Sequence, residues 1–144
     1  MKKIETSIII NAEVEDVWKA ITDVASYYKW NPQIIDIKGK LEANETIYAE
    51  IFAPDGSGTK YGFEGRVAKA EPNKVLAWEG GTKGILFGYH YWILEPHENG
   101  TKVFHGEDME GSYIDGISDE EFNLLKPAYE NYNVKLKLYI EEQK

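Results

Sequence analysis

Six residues near the C terminus, Phe122, Leu125, Tyr129, Tyr132, Leu136 and Tyr139, recur at spacings of 3, 4, 3, 4 and 3. That is the apolar stripe of an amphipathic helix, and it constrains the fold more than any other feature of the chain. A striped helix of this length must lie on an apolar surface. Ser118-Asp119-Glu120-Glu121 supplies a capping box, with Ser118 at the N-cap and Glu121 three residues on. The helix is therefore expected over roughly 119–142. Pro127 falls inside it. Its ring clashes with the carbonyl four residues back and it donates no hydrogen bond, so a kink is expected there.

The surface that receives this helix is written upstream. Ile4, Thr6, Ile8 and Ile10 alternate with Glu5, Ser7 and Ile9, the pattern of a strand with one buried face. Asn11 is expected to cap a short helix near 13–22, where Val14, Val17, Trp18 and Ile21 share one face. Ser26 to Pro32 is aromatic and irregular, and Pro32 prevents a helix from running through Trp30-Asn31. Strand patterns then follow near 34–41, 46–53, 59–71, 74–79, 86–96 and 101–111. Turn residues separate them at Ala43-Asn44-Glu45, Pro54-Asp55-Gly56-Ser57-Gly58, Pro72-Asn73, Gly80-Gly81 and His97-Glu98-Asn99-Gly100. Connections this short, with no helix between strands, make neighbours antiparallel. The 144 residues thus read as one α+β domain over 1–144. A curved sheet of seven antiparallel strands grips a long C-terminal helix, with short helical structure between strands 1 and 2. A helix and a curved sheet meet along part of their faces only, and the gap between them is a natural ligand site.

Charge and composition narrow the partners. The net charge is −9, and neither half is basic: residues 1–72 hold 9 basic and 12 acidic side chains, residues 73–144 hold 7 and 13. With no Lys/Arg cluster to neutralise phosphates, nucleic acids and anionic membranes are poor partners. No cysteine is present, which removes disulfides, thiol nucleophiles, iron–sulfur clusters and cysteine-based zinc sites. No apolar run approaches 18 residues, so no membrane span is expected. Met1-Lys2-Lys3 has the charge of a signal peptide, but Ile8-Ile9-Ile10 is too short for its apolar region and Glu5 interrupts it. The expected setting is the cytoplasm, as a monomer or weak homodimer. Ten Tyr, five Phe and four Trp imply a wide aromatic-lined core or cavity. Between Val103 and Leu125 there are seven acids and no Lys or Arg. This run is either a solvated rim or a cation-attracting pocket mouth.

The strongest local inference concerns the strands at 86–96 and 101–111. A loop at about 97–100 sets Pro96 opposite Thr101, so Leu94 faces Val103, Trp92 faces His105 and His90 faces Glu107. All of them share one sheet face, and Leu94 and Val103 mark that face as the inner one. Two of the three histidines and one carboxylate are thereby gathered on the concave surface beside a tryptophan. Burial raises the pKa of such a carboxyl and a cationic neighbour lowers it. An imidazole accepts or donates a proton near neutral pH. The cluster is thus a hydrogen-bonded structural pair, a polar contact for a ligand, or an acid–base set in which His90, His105 and Glu107 are the catalytic candidates. Two His and one Glu are also metal-ligand types, but nothing in their spacing marks a metal family, and neither metal nor cofactor is assigned. Trp18 reads as core. Trp30 would close one end of the cavity, Trp78 has one buried side, and Trp92 is the foremost ligand-facing tryptophan. Tyr129 and Tyr132 lie on the helix stripe, either as core with a polar tip or as donors to a ligand. No Gly-x-Ser-x-Gly, phosphate loop or His-Glu-x-x-His is present. Gly80-Gly81-Thr82-Lys83-Gly84 reads as a hairpin loop, and Gly111 to Gly116 as a flexible lid.

Asn11-Ala12 followed by Val17-Trp18, Trp30-Asn31-Pro32 ahead of the second strand, and His90-Tyr91-Trp92-Ile93-Leu94-Glu95-Pro96 with Asn99-Gly100-Thr101-Lys102-Val103 and Glu107-x-x-x-Gly111 resemble, in order and spacing, the START-like or SRPBCC helix-grip superfamily. The branches of closest resemblance are the polyketide cyclase/dehydrase-like proteins and the heat-shock ATPase activator homologues. The resemblance covers essentially the whole chain. It implies a deep cavity for a hydrophobic or amphipathic molecule, lipid-like or aromatic, and the register and stripe above make Trp30, Trp78, His90, Trp92, His105, Glu107, Tyr129 and Tyr132 its expected contacts. Ligand binding is the leading reading, a cyclase or dehydratase acting without cofactor is the runner-up, and a partner-regulating module is the third. Fold alone does not choose among these. A roomy cavity holding the polar cluster favours the first two readings, and an interior filled by Trp and Tyr favours the third.

Overall fold

A computed structural model describes residues 1–53 and 56–143. Strand β1 (Lys2–Ile10) is followed by helix α1 (Val14–Thr22) and a 3-10 segment, Val24–Lys29. Then come β2 (Ile34–Lys38), β3 (Thr46–Phe52), β4 (Lys60–Glu71), β5 (Val75–Thr82), β6 (Leu86–His97) and β7 (Gly100–Glu110). Helices α2 (Ser112–Asp115), α3 (Asp119–Asn123) and α4 (Lys126–Glu142) complete the chain. The seven strands form one sheet in the order β1-β7-β6-β5-β4-β3-β2, every neighbouring pair antiparallel. This is the expected α+β helix grip. Of the expected turn at Pro54-Asp55-Gly56-Ser57-Gly58, Pro54 and Asp55 lie outside the described residues.

The C-terminal helical path covers the expected span, with a turn at Leu124–Leu125 between α3 and α4. Pro127 explains the interruption. Its ring would strike the carbonyl of Asn123, so the chain ends one helix there and starts the next with Pro127 in the first turn, where its missing N–H is one of the unpaired donors in any case. Ser118 accepts a 3.0 Å hydrogen bond from the Glu121 backbone N–H, as the capping box requires. Along the stripe, Phe122, Tyr129, Tyr132 and Leu136 are buried. α4 packs on β1 and β7 and against α1.

Local differences from the sequence expectations have local causes. Asn11 does not cap α1. The N-cap is Glu13 with no side-chain bond, while the Asn11 backbone N–H donates to Glu141 at 2.9 Å. Gly80, Gly81 and Thr82 extend β5 rather than forming the loop, because all three pair in register with β6, and the turn is at 83–85. The segment expected to be a lid contains α2. The Ser112 and Tyr113 N–H groups donate to the carbonyls of Gly84 and Ile85 at 2.9 Å each, and Ile114 is buried with Ile4, Phe122 and Tyr129. No helix among the described residues is long and apolar enough to cross a membrane.

Candidate polar site on the concave face

The β6–β7 register has the expected pairs: Pro96 with Thr101, Leu94 with Val103, Trp92 with His105 and His90 with Glu107. β1 continues these rows, with Thr6 beside His105 and Ile4 beside Glu107. On the other side Trp78 pairs with His90. Strand alternation thus lays out two adjacent rows of inner residues, Trp78-His90-Glu107-Ile4 and Trp92-His105-Thr6.

In the second row His105 is fully buried. Its ring stacks on Trp92 with centroids 3.7 Å apart and planes within 4°. His105 Nε2 lies 2.7 Å from His90 Nε2, and His105 Nδ1 lies 2.8 Å from Asn133 Oδ1. Asn133, on α4, donates through Nδ2 to Thr6 Oγ1 at 2.8 Å, and Thr6 donates onward to the His105 carbonyl at 2.6 Å. This network fixes the tautomers. Asn133 Oδ1 accepts, so His105 Nδ1 carries its proton. His105 Nε2 is then the acceptor for the Nε2–H of His90. His90 Nδ1 is left as a bare lone pair, buried and without a hydrogen-bond partner among the described residues. Burial pushes the His90 pKa down to about 3. Burial, reinforced by His90, holds His105 well below the ordinary imidazole range, against the Asn133 hydrogen bond. Both rings are neutral at physiological pH.

Glu107 behaves differently. It is half-buried on the same face. Tyr129, on α4, donates its hydroxyl to Glu107 Oε1 at 2.7 Å. Oε2 lies over Gly88, where a methyl group would collide with it, and has no hydrogen-bond partner among the described residues. Burial raises the Glu107 carboxyl to about 7, the Tyr129 bond opposes this, and Asp108 adds to it. Burial, then the neighbouring Glu107 charge, pushes the Tyr129 phenol well above its ordinary value. The result is a carboxyl that exchanges a proton near neutral pH beside a phenol that keeps its own.

The remaining expected site residues divide. Trp78 is buried and stacks on His90 with centroids 4.8 Å apart. Tyr132 is buried between Trp92 (5.3 Å) and Trp30 (5.7 Å), and its hydroxyl accepts a 2.6 Å bond from Asn31. Trp30 joins the same packed group and leaves its indole N–H without a hydrogen-bond partner among the described residues. Trp18 is half-buried against the core. The interior that was expected as a cavity therefore holds Trp30, Trp92 and Tyr132 in mutual contact. A hollow of about 360 Å³ lies instead on the outer sheet face, lined by Tyr89, Tyr91, Ile93 and Phe104 among others. Among the described residues no group of three or more His, Asp and Glu side chains could hold a metal ion.

Two members of the network, Thr6 and Asn133, are absent from the sequence-based set. Asn133 falls four residues after Tyr129 and three before Leu136, a stripe position at which a polar side chain is normally disregarded. Asn133→Leu should leave the buried His105 Nδ1–H unpaired and cost about 1–3 kcal/mol of stability by urea titration. Full stability in that variant would show that the chain of bonds does not hold in solution.

Comparison with known proteins agrees with this architecture. No curated protein matches the sequence. Among solved structures, MLL2253 from Mesorhizobium loti superposes with a TM-score of 0.76 at 16% identity, covering 99% of each chain. DynU16, from the dynemicin biosynthetic locus, gives 0.75 at 19% identity, over 100% of this chain and 49% of its own. The di-domain ARO/CYC StfQ from the steffimycin biosynthetic pathway gives 0.75 at 12% identity, over 98% of this chain and 51% of its own. At these identities the likeness is one of fold. The family model described as polyketide cyclase / dehydrase and lipid transport matches residues 1–141, and the chain belongs to that family.

Proposed function

We propose that the protein binds a hydrophobic or amphipathic small molecule on the concave face, with Glu107 and Tyr129 as the polar contact and Trp78 and His90 as the adjoining wall. The observation that carries this reading is the placement of Glu107. One carboxyl oxygen is anchored by Tyr129, and the other lies against the backbone of Gly88 with no hydrogen-bond partner among the described residues. A ligand hydroxyl there completes the hydrogen bonding of a group that folding alone leaves half-served. The family description, which joins cyclases with lipid transport, supports the same class of ligand. His105 has both ring nitrogens engaged, so its part is to hold the wall, while His90 retains one free acceptor.

The test is a tryptophan-fluorescence titration with naphthalene and with 2,7-dihydroxynaphthalene. Both should quench the wild type. Glu107→Gln should weaken the diol by about 1–3 kcal/mol and leave naphthalene unchanged. No response to either compound, together with no co-purifying small molecule in native mass spectra, would sink the reading. A partner-regulating module is the second reading. It is favoured by the interior packed with Trp30, Trp92 and Tyr132, and that negative outcome is the one it expects. A catalytic version of the first reading gives Glu107 the acid–base role, since a carboxyl near 7 is partly protonated at neutral pH. The cytoplasm remains the proposed location.

A further inference from the structure

Gly65 on β4, Gly80 on β5 and Gly88 on β6 stand abreast. Gly65 pairs with Gly80, and Gly80 pairs with Gly88. Each lies two residues from an inner residue, Val67, Trp78 and His90 respectively, so alternation puts all three on the concave face. Three adjacent strands therefore present bare backbone side by side. Glycine within a strand loosens it and contributes no packing, and its positional meaning is a bulge, a bend or a close approach by something else. No bulge falls at any of the three, because the pairing runs unbroken through them.

What approaches closely is visible. A methyl group on Gly80 would stand 2.6 Å from Phe63 Cδ2, and one on Gly65 would stand 2.6 Å from the Glu79 carbonyl oxygen and 3.2 Å from Phe63 Cε2. A methyl group on Gly88 would strike Glu107 Oε2. The half-buried Phe63 ring thus lies on one part of the strip and the Glu107 carboxylate on the other. Three strands span about 10 Å from first to last, close to the long dimension of two fused rings. Trp78 and His90 form the next row inward. α4 packs over β1 and β7, at the opposite edge of the sheet from β4.

We propose that Gly65, Gly80 and Gly88 floor a slot for a planar ligand, that Phe63 is its gate, and that the slot selects flat ring systems over flexible chains of equal carbon count. This rests on the small-molecule reading above and adds the shape of the ligand and the residues that select it. With Phe63 turned outward, a ring system takes the place of the phenyl ring on the bare backbone. One of its hydroxyls then meets Glu107 Oε2.

Two probes separate shape from chemistry. 2,7-Dihydroxynaphthalene and 1,10-decanediol both carry ten carbons and two hydroxyls, and only the first is flat. Calorimetric titrations of wild type, Phe63→Ala and Gly80→Val, with thermal melts to establish folding, are the measurement. The naphthalenediol should bind wild type at least tenfold more tightly than the decanediol. Phe63→Ala should tighten it about fivefold by removing the competing ring. Gly80→Val should weaken it at least tenfold by filling the strip. If Gly80→Val does not fold, the Phe63→Ala result and the ratio between the two diols decide. Binding of either diol that neither variant moves, or equal binding of both diols to wild type, overturns the slot and leaves the small-molecule reading standing. Binding of neither diol to any of the three proteins overturns both.

Discussion

Leu136→Ala should lower the free energy of unfolding by about 2–5 kcal/mol in a urea titration. Leu136 is completely buried at the centre of the α4 stripe, in one apolar cluster with Tyr132, Ile140, Trp30 and Trp92. Truncation removes the transfer free energy of the lost methyl groups. It also leaves a cavity that rigid aromatic neighbours cannot easily fill. Leu138, two residues on and half exposed, is the internal control. Its replacement by alanine should stay within about 0.5 kcal/mol. A loss below about 0.5 kcal/mol for Leu136→Ala would mean that α4 does not present this stripe to the sheet.

The second large effect is the pH dependence of stability, in which the two buried histidines and the half-buried Glu107 pull in opposite directions. His90 and His105 have pKa values lowered in the folded state, so they stay neutral while the unfolded chain binds protons. Their contribution is intact above the unfolded value of about 6.5 and is lost on acidification. Between pH 6.5 and 4.5 the His90 contribution falls by up to about 2.7 kcal/mol, at 1.36 kcal/mol per unit, and His105 changes in the same direction. Glu107 has the reverse sign. Its folded value of about 7 exceeds the ordinary carboxyl value of 4.5. It favours folding below 4.5 and costs about 3 kcal/mol once pH has risen through 7. Wild type should therefore lose less stability between pH 7 and 4.5 than the two histidines alone would cost, because Glu107 offsets part of the histidine loss. Glu107→Gln keeps an acceptor for Tyr129 and removes the titration. It should be about 3 kcal/mol more stable than wild type at pH 8, equal to it at pH 4.5, and correspondingly steeper in acid. Parallel stability curves for the two proteins would show that Glu107 does not titrate near neutrality in the fold.

Sequence alone determined the features that depend on periodicity and on neighbours along the chain. The β6–β7 register could be read because one short loop fixes the pairing and alternation fixes the face. A slip of one residue would have turned Leu94 and Val103 outward. The same kind of local rule placed the capping box, the break imposed by Pro127 and the buried stripe of α4. It failed at Asn11, where the tertiary partner Glu141 takes the backbone N–H and the asparagine caps nothing.

Only the tertiary structure decided whether the space between sheet and helix is open or filled. That space depends on Trp30, which arrives from a segment without periodicity and packs on Tyr132 and Trp92 across more than sixty residues of chain. Thr6 and Asn133 escaped the sequence reading for the same reason. A buried polar side chain is stable only where its partner stands, and theirs are on different elements. The three glycines look like ordinary turn or strand breakers one at a time. They become a floor only through the registers of two strand pairings, one of which carries a bulge just beyond Val67. Side-chain periodicity is a property of one element, whereas a site is a coincidence of several, and that coincidence exists only once the sheet has closed on its helix.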